Sequence, residues 1–201
     1  MVREDSLAFS KKNTYIAYIA SPSNLHISPA CEVLNMASNN IRGSLPTELG
    51  MASKLEELMM NDNDFGMDLK SKRGGIPTEL GELKELRRLD LSYYSNIAGQ
   101  IPSTLGNLSK LEYLNLNYAG LTGQIPEELG NLKSVEELWL ERNVLTGVIP
   151  AGIFHEKLEL FLLGANKLTG TIPTEIGNAF RLKELLLGEN KLEGEIQEMH
   201  N

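Results

Sequence analysis

The chain has 201 residues, of which 41% are hydrophobic and 23% charged, a balance typical of folded globular domains rather than disordered segments. Its formal net charge of −8 disfavours a nucleic-acid partner and an anionic membrane surface, because both would repel an acidic protein. Cys31 is the only cysteine, so no disulfide can form within this sequence, and no apolar run is long enough for a transmembrane helix.

The first thirty residues contain no repeat, and their longest apolar stretch is too short for the core of a signal peptide. A solenoid needs its terminal units covered, since their apolar faces would otherwise meet water. Four apolar residues of this segment could cover the first repeat unit, namely Ile16, Ile19, Leu25 and Ile27. We therefore expect residues 1–30 to form a leader or a partial N-terminal cap.

Seven copies of one pattern follow, and the clearest copy runs from Leu111 to Pro126. Written generally, the pattern is L-x-x-L-x-L-x-x-N-x-L-x-G-x-I-P-x-x-L-G-x-L. The copies define coils one to seven, which start at Cys31, Leu55, Leu86, Leu111, Val135, Leu158 and Leu182. The second predicted part of the chain is therefore a repeat array over residues 31–201.

The L-x-x-L-x-L segment predicts a strand, because a spacing of two sends the leucines to one face and the intervening residues to the other. The glycine of L-x-G suits a turn with positive φ, and the following proline fixes an extended return path. An asparagine recurs at the end of the strand, where its amide can bond the main chain of the turn and of the neighbouring coil. These ladder asparagines are Asn39, Asn63, Asn143, Asn166 and Asn190.

The pattern is broken in coils two to five. Coil two has a basic insertion at residues 66–74, which is either a contact patch or a tolerated surface loop. Coil three has one extra residue, coil four has Ala119 in place of the ladder asparagine, and coil five is one residue short at Phe154. Such irregularities in a regular array are the first places to look for function.

The outward strand positions define the surface on which we expect a ligand to bind. Aromatic residues gather there on three adjacent coils, and beyond them an apolar stripe is flanked by acidic residues. Rigidly presented aromatic residues are typical of binding hot spots, although strand positions also favour such residues for structural reasons alone. The predicted ligand-binding residues are Tyr93, Tyr113, Tyr118, Trp139, Glu137, Glu141, Arg142, Leu162 and Leu186.

The tandem pattern resembles the plant-type leucine-rich-repeat family, which is found in receptor-kinase ectodomains and in secreted inhibitors of pathogen enzymes. The resemblance covers residues 31–201. It implies an α/β repeat solenoid, a right-handed superhelix with a parallel concave β-sheet and 3-10 or extended convex turns. It also implies a receptor-like or extracellular recognition module at the cell surface, although no signal peptide or transmembrane segment fixes the location.

Catalysis is not expected, because the three histidines are scattered and no triad, phosphate loop or His/Cys metal cluster is present. No cofactor is predicted. The expected partner is a protein or peptide, with a glycan as an alternative, and an intracellular scaffold is the alternative function. Asn107 begins the only N-x-S/T sequon and is a candidate glycosylation site. The last coil stops without a cap, so we expect further sequence or a partner to cover it.

Overall fold

This computed structural model describes residues 18–19, 25–65, 75–94 and 97–195, and in it each predicted coil contributes one short strand to a parallel sheet. The seven strands lie side by side in chain order, so each coil pairs with the coils before and after it. We call this the concave sheet. Its strands are Val33–Asn35, Glu57–Met59, Arg88–Asp90, Tyr113–Asn115, Glu137–Trp139, Leu160–Leu162 and Glu184–Leu186.

The middle residue of every strand points into the core, as the alternating pattern predicts. From coil to coil these residues pair in register, for example Leu58 with Leu89 and Leu138 with Phe161. In coils one to six they are at most 4% exposed, and each buried aliphatic side chain contributes about 1.5–3 kcal/mol. Cys31 occupies the first leucine position and is buried as well. In coil seven, Leu182, Leu185, Leu187 and Leu192 are only half-buried.

The convex side of the solenoid is a stack of six 3-10 helices. Each follows a proline whose φ lies between −60° and −74° with an extended ψ, which confirms the predicted return path. The 3-10 helices are Thr47–Met51, Thr78–Glu82, Ser103–Asn107, Glu127–Asn131, Ala151–Ile153 and Thr174–Asn178.

The glycines of these convex turns allow the coils to stack closely. A Cβ atom added to Gly106 would lie 2.7 Å from the carbonyl carbon of Glu128 and 2.8 Å from its Cβ, and it would overlap the carbonyl oxygen. Gly81 meets Thr104 in the same way. At Gly177 no atom of the described residues lies within 4 Å of such a Cβ. Steric contact therefore requires glycine at Gly81 and Gly106, where the 3-10 helix of the next coil is stacked on the turn, a reason that the sequence pattern did not reveal.

A second parallel sheet, which the sequence pattern did not predict, runs along one flank and is called the lateral sheet. It has four strands, and a separate two-stranded pairing occurs in coils one and two. Threonine hydroxyls extend the pairing, since Thr122, Thr146 and Thr169 each donate to a glycine carbonyl of the preceding coil at 3.0–3.3 Å. The strands are Thr122–Gln124, Val144–Gly147, Lys167–Gly170 and Lys191–Leu192, with the pair Arg42–Gly43 and Asp64–Phe65.

The predicted asparagine ladder is present in four coils, whereas Asn39 donates to the carbonyls of Met36 and Ala37 in its own coil one. In coils two, five, six and seven the amide Nδ2 donates to a main-chain carbonyl of the preceding coil at 2.8–2.9 Å. The Oδ1 atom accepts a backbone N–H of that same coil, for example Leu121 N–H at Asn143. Each of these four asparagines therefore joins two coils and satisfies buried backbone groups that would otherwise be costly.

At the two interruptions of the ladder the coils are joined differently. Tyr94 takes the ladder position in coil three, where it is 1% exposed, and its hydroxyl donates to the carbonyl of Met60. That carbonyl is the one that an asparagine would have bonded. Ala119 takes the equivalent position in coil four and is fully buried. A small side chain stacked on the tyrosine position leaves room for its ring.

Some of the predicted features lie partly or wholly outside the described residues. The basic insertion at residues 66–74 is outside them, as are residues 1–17 and 196–201. Tyr18–Ile19 pairs antiparallel with Leu25–His26, and Ile27 packs against the core. The division into a leader of residues 1–30 and an array of residues 31–201 stays a prediction. Within the described ranges, no helix is long and apolar enough to cross a bilayer.

Candidate functional site

The concave sheet brings the four predicted aromatic residues together. The rings of Tyr93 and Tyr118 are stacked, with their centroids 5.0 Å apart and an angle of 16° between the planes. The rings of Tyr113 and Trp139 are tilted by 56° at a centroid distance of 5.9 Å. These residues come from coils three, four and five, so their proximity depends on the stacking of neighbouring coils. We call Tyr93, Tyr113, Tyr118 and Trp139 the aromatic cluster.

Two arginines lie over rings of the aromatic cluster. The guanidinium carbon of Arg142 is 5.2 Å from the centroid of Tyr118, and that of Arg88 is 4.4 Å from the centroid of Tyr113. Both distances are within the range of cation–π attraction, which fixes the rings and the long arginine side chains in one arrangement. Arg142 was among the predicted site residues and Arg88 was not. The strand spacing alone places Arg88 beside Tyr113, so its proximity was available from the sequence.

The most exposed members of the cluster occupy an unusual backbone position. Tyr93 and Tyr118 are 56% and 39% exposed, and both have a left-handed φ, at 57° and 54°. Every coil has a non-glycine residue with positive φ at this point, just beyond the strand, where alternation between faces ends. The full set is Ser38, Asp62, Tyr93, Tyr118, Arg142, Ala165 and Glu189. This conformation costs roughly 1 kcal/mol per residue, and no glycine or asparagine at these positions signals it in the sequence.

A buried polar network lies beside the aromatic cluster. The Asp90 carboxylate accepts hydrogen bonds from the backbone N–H and hydroxyl of Ser92 at 3.0 and 2.6 Å. It also accepts from the Tyr113 hydroxyl and the Asn115 amide, both at 3.3 Å. The Asn115 amide donates to the Tyr113 hydroxyl at 3.0 Å. The network fixes the phenol end of Tyr113, while its ring contacts Trp139 and Arg88.

These network residues had been expected on the outward surface of the strands, and the structure corrects that expectation. Asp90, Ser92 and Asn115 are at most 5% exposed, and so is Asn117, whose backbone N–H donates to the Asn115 Oδ1. The direction of each side chain follows the alternating pattern, but the large aromatic side chains of the neighbouring coils cover the shorter polar ones. Burial also raises the pKa of Tyr113 to about 12, and the negative charge of Asp90 adds to that rise.

Two enclosed polar atoms on the same sheet have no hydrogen-bond partner among the described residues. They are the indole Nε1 of Trp139 and the Oδ1 of Asn61. Trp139 pairs in register with Asn115 of the polar network, and Asn61 belongs to coil two on the other side of it. A hydrogen-bond donor and a hydrogen-bond acceptor are therefore unused beside the network, which is uncommon for enclosed polar groups in a folded protein.

In coils five to seven the predicted apolar stripe is narrower than expected. Leu186 is 42% exposed, whereas Leu162 is only 7% exposed and does not present an open surface. Leu162 pairs in register with Trp139 on one side and Leu186 on the other, and these two side chains shield it. Glu137 and Glu141, on the coil of Trp139, are half-buried. Leu162 therefore supports its neighbours rather than offering a contact of its own.

The candidate glycosylation site lies far from this surface. Asn107 is the last residue of the 3-10 helix Ser103–Asn107 on the convex side, and both Asn107 and Ser109 are exposed. Its modification stays a prediction. Throughout the described part of the chain, no group of three or more His, Cys, Asp and Glu residues is arranged to hold a metal ion.

Comparison with a family model and comparison with solved structures indicate the same family. A model of the Leucine Rich Repeat family matches residues 30–51 and 110–132, in coils one and four. No curated protein matches the chain by sequence. Solved structures do match, and the plant peptide hormone receptor RGFR1 in complex with RGF2 is 33% identical with a TM-score of 0.76.

Two further plant receptors are similar to the same degree. The leucine-rich-repeat ectodomain of the receptor kinase GASSHO1/SCHENGEN3 from Arabidopsis thaliana, in complex with CASPARIAN STRIP INTEGRITY FACTOR 2, is 34% identical with a TM-score of 0.76. The Arabidopsis receptor kinase HAESA, in complex with the peptide hormone IDA and the co-receptor SERK1, is 35% identical with a TM-score of 0.74.

Each of these three likenesses covers 82% of this chain, whereas the chain spans only 25%, 19% and 26% of the three receptors. The similarity therefore extends over nearly all of the coils described above, and the receptors are several times longer. Repeat pattern, coil geometry and structural likeness agree. The chain belongs to the leucine-rich-repeat family, and its repeats are of the plant type.

Proposed function

We propose that this chain is a recognition module of a receptor-like protein that binds a peptide or protein on its concave sheet and catalyses no reaction. The observation that carries the proposal is the aromatic cluster, in which exposed tyrosines are stacked on each other and held by arginines. Tyrosine and tryptophan supply a large contact area at a low cost in side-chain entropy, so an ordered cluster of this kind suits a binding hot spot.

The structural neighbours support a ligand of this class. RGFR1 was solved with RGF2, and HAESA was solved with the peptide hormone IDA. We therefore propose a peptide or protein ligand and leave the glycan alternative aside. Because the neighbours are receptors, we also propose an extracellular or cell-surface location rather than that of an intracellular scaffold.

The proposal predicts that the aromatic cluster dominates the binding energy. Ligands are obtained by selecting a display library of random peptides on the purified chain, and their affinities are measured by titration calorimetry. We expect Tyr118→Ala and Trp139→Ala each to weaken binding by about 2 kcal/mol, roughly thirtyfold, because truncation removes a central contact.

Val148→Ala is the matched control, since Val148 is 60% exposed beside the lateral sheet and lies outside the cluster. We expect it to leave the affinity unchanged. Thermal unfolding of each variant shows whether the fold is intact. A loss below about 1 kcal/mol in both cluster variants, with an intact fold, would contradict the proposal that this cluster is the binding site.

A further inference from the structure

From coil five onward, the outward residues at the strand ends of the concave sheet are apolar. On coils five to seven the last residue of each strand is apolar, and these residues are adjacent in register: Trp139, Leu162 and Leu186. Gly164 and Gly188 follow the strands of coils six and seven, and the Glu141 Oε1 atom would lie 3.0 Å from a Cβ added at Gly164, which places this carboxylate beside the strip. The result is a short apolar strip, continuous with the aromatic cluster at Trp139, whose open surface belongs to Trp139 and Leu186 while the buried Leu162 forms the floor between them.

Carboxylates border this strip on both sides. Glu137 and Glu184 stand at the start of their strands, while Glu141 and Glu189 follow the strand ends of coils five and seven. Four residues separate Glu137 from Glu141 and five separate Glu184 from Glu189, so the two borders are at most about 13–16 Å apart, and two strand spacings give the strip a length of about 10 Å. An extended segment of three or four residues fits that length.

The four border carboxylates have no basic partner among the described residues. The ion pairs of the described chain involve other acidic residues, such as Glu159 with Lys183 and Glu112 with Arg87. The nearest concave arginine, Arg142, lies over the ring of Tyr118. The strip therefore carries four negative charges against one positive charge, and that positive charge is already engaged by an aromatic ring.

We infer that coils five to seven bind a basic segment of the ligand, in which an apolar side chain lies on the strip and lysine or arginine side chains reach the carboxylates on either side. This inference rests on the proposed function and names the chemistry of its ligand. Charge complementarity of this kind mainly sets specificity and the rate of association, and salt screens it.

The random-peptide selection tests this inference directly. We expect the enriched peptides to be basic relative to the starting library and to place an apolar residue between lysines or arginines. Their affinity should fall about tenfold when the salt concentration rises from about 0.05 M to about 0.5 M. Enrichment of neutral or acidic peptides would overturn this inference and leave the proposed function intact. A selection that enriches nothing would overturn both.

A matched pair of variants separates local contact from overall charge. We expect the double variant Glu137→Gln and Glu184→Gln to weaken an enriched basic peptide about fivefold, since each exposed pair adds little. The control is the double variant Glu127→Gln and Glu175→Gln, which removes the same charge from exposed positions of the convex 3-10 helices. It should bind as the unaltered chain does. Equal losses in the two double variants would contradict a specific acidic strip.

Discussion

Single hydroxyl groups have distinct roles in this chain, and Tyr94 is the clearest case. Its hydroxyl reaches the Met60 carbonyl that a ladder asparagine would otherwise bond. We expect Tyr94→Phe to lower the free energy of unfolding by about 0.5–1.5 kcal/mol, because the buried carbonyl loses this donor but keeps the Asn63 amide. Urea unfolding measures the change. The control is Tyr118→Phe, whose ring is exposed, and equal stability of the two variants would argue against the role given to Tyr94.

The Tyr113 hydroxyl links stability to pH. Its pKa is about 12 in the folded chain, against 10.0 for an ordinary tyrosine, because of burial and the charge of Asp90. A pKa raised on folding favours the folded state fully below pH 10, and that contribution is lost as the pH rises from 10 towards 12.

Tyr113→Phe should therefore flatten the fall in stability over this alkaline interval. The tyrosinate absorbance of the folded chain should also lose the component that titrates near pH 12, while the buried Tyr94, whose pKa is raised too, is unaffected by the substitution. Unfolding measured at several alkaline pH values, together with the absorbance titration, checks both expectations. An unchanged titration curve would show that Tyr113 does not carry the raised pKa.

Among the structural elements, the convex 3-10 helices give a paired test of coil stacking. We expect Gly106→Ala to destabilise the chain by about 1–3 kcal/mol, since the added methyl group meets the backbone of Glu128. Gly177 occupies the equivalent position in coil six, where such a methyl group meets no described residue within 4 Å. Gly177→Ala should therefore be neutral or slightly stabilising. Similar losses in both variants by urea unfolding would contradict the steric explanation.

Among the structural elements, the sequence predicts those features that recur at a fixed spacing from coil to coil. Residue type and spacing predict the strand leucines, the positive-φ glycines such as Gly123, the extended prolines and the bonded asparagines. The lateral sheet was missed because its segments lack apolar alternation and depend on hydrogen bonds to the preceding coil. The convex glycines were assigned to turns, although contact with the next coil is what requires them at Gly81 and Gly106.

The candidate site was predicted less completely than the fold. Which aromatic residues share the concave sheet follows from the repeat register, and the structure brings Tyr93 and Tyr118 into contact. The exposure of individual residues does not follow from that register. Leu162 and Asp90 are buried because of the size of side chains on adjacent coils, and the left-handed backbone at Tyr93 arises from coil geometry rather than from its own residue type.

At the scale of the whole molecule, glycosylation of Asn107 depends both on secretion of the chain and on exposure of its convex side. Expressed behind a secretory signal in plant cells, the chain should carry one glycan that an endoglycosidase removes, because the sequon is exposed on the convex side. Asn107→Gln should abolish the change in electrophoretic mobility. The affinity for a selected peptide should be the same with and without the glycan, since the concave sheet faces away from Asn107. A secreted chain without the glycan would contradict the predicted modification.

The position of Trp139 gives the molecule a built-in optical reporter. It is the only tryptophan, it is half-buried and belongs to both the aromatic cluster and the apolar strip, and its ring centroid is 5.9 Å from that of Tyr113. Indole emission shifts with local polarity and quenching, so a ligand on either part of the concave sheet should change the fluorescence of the unlabelled chain. Excitation of the tyrosines should feed the same indole, because energy transfer is efficient at such short range. Occupancy of the concave sheet can therefore be followed in real time, without attaching a dye to the surface that the ligand must contact.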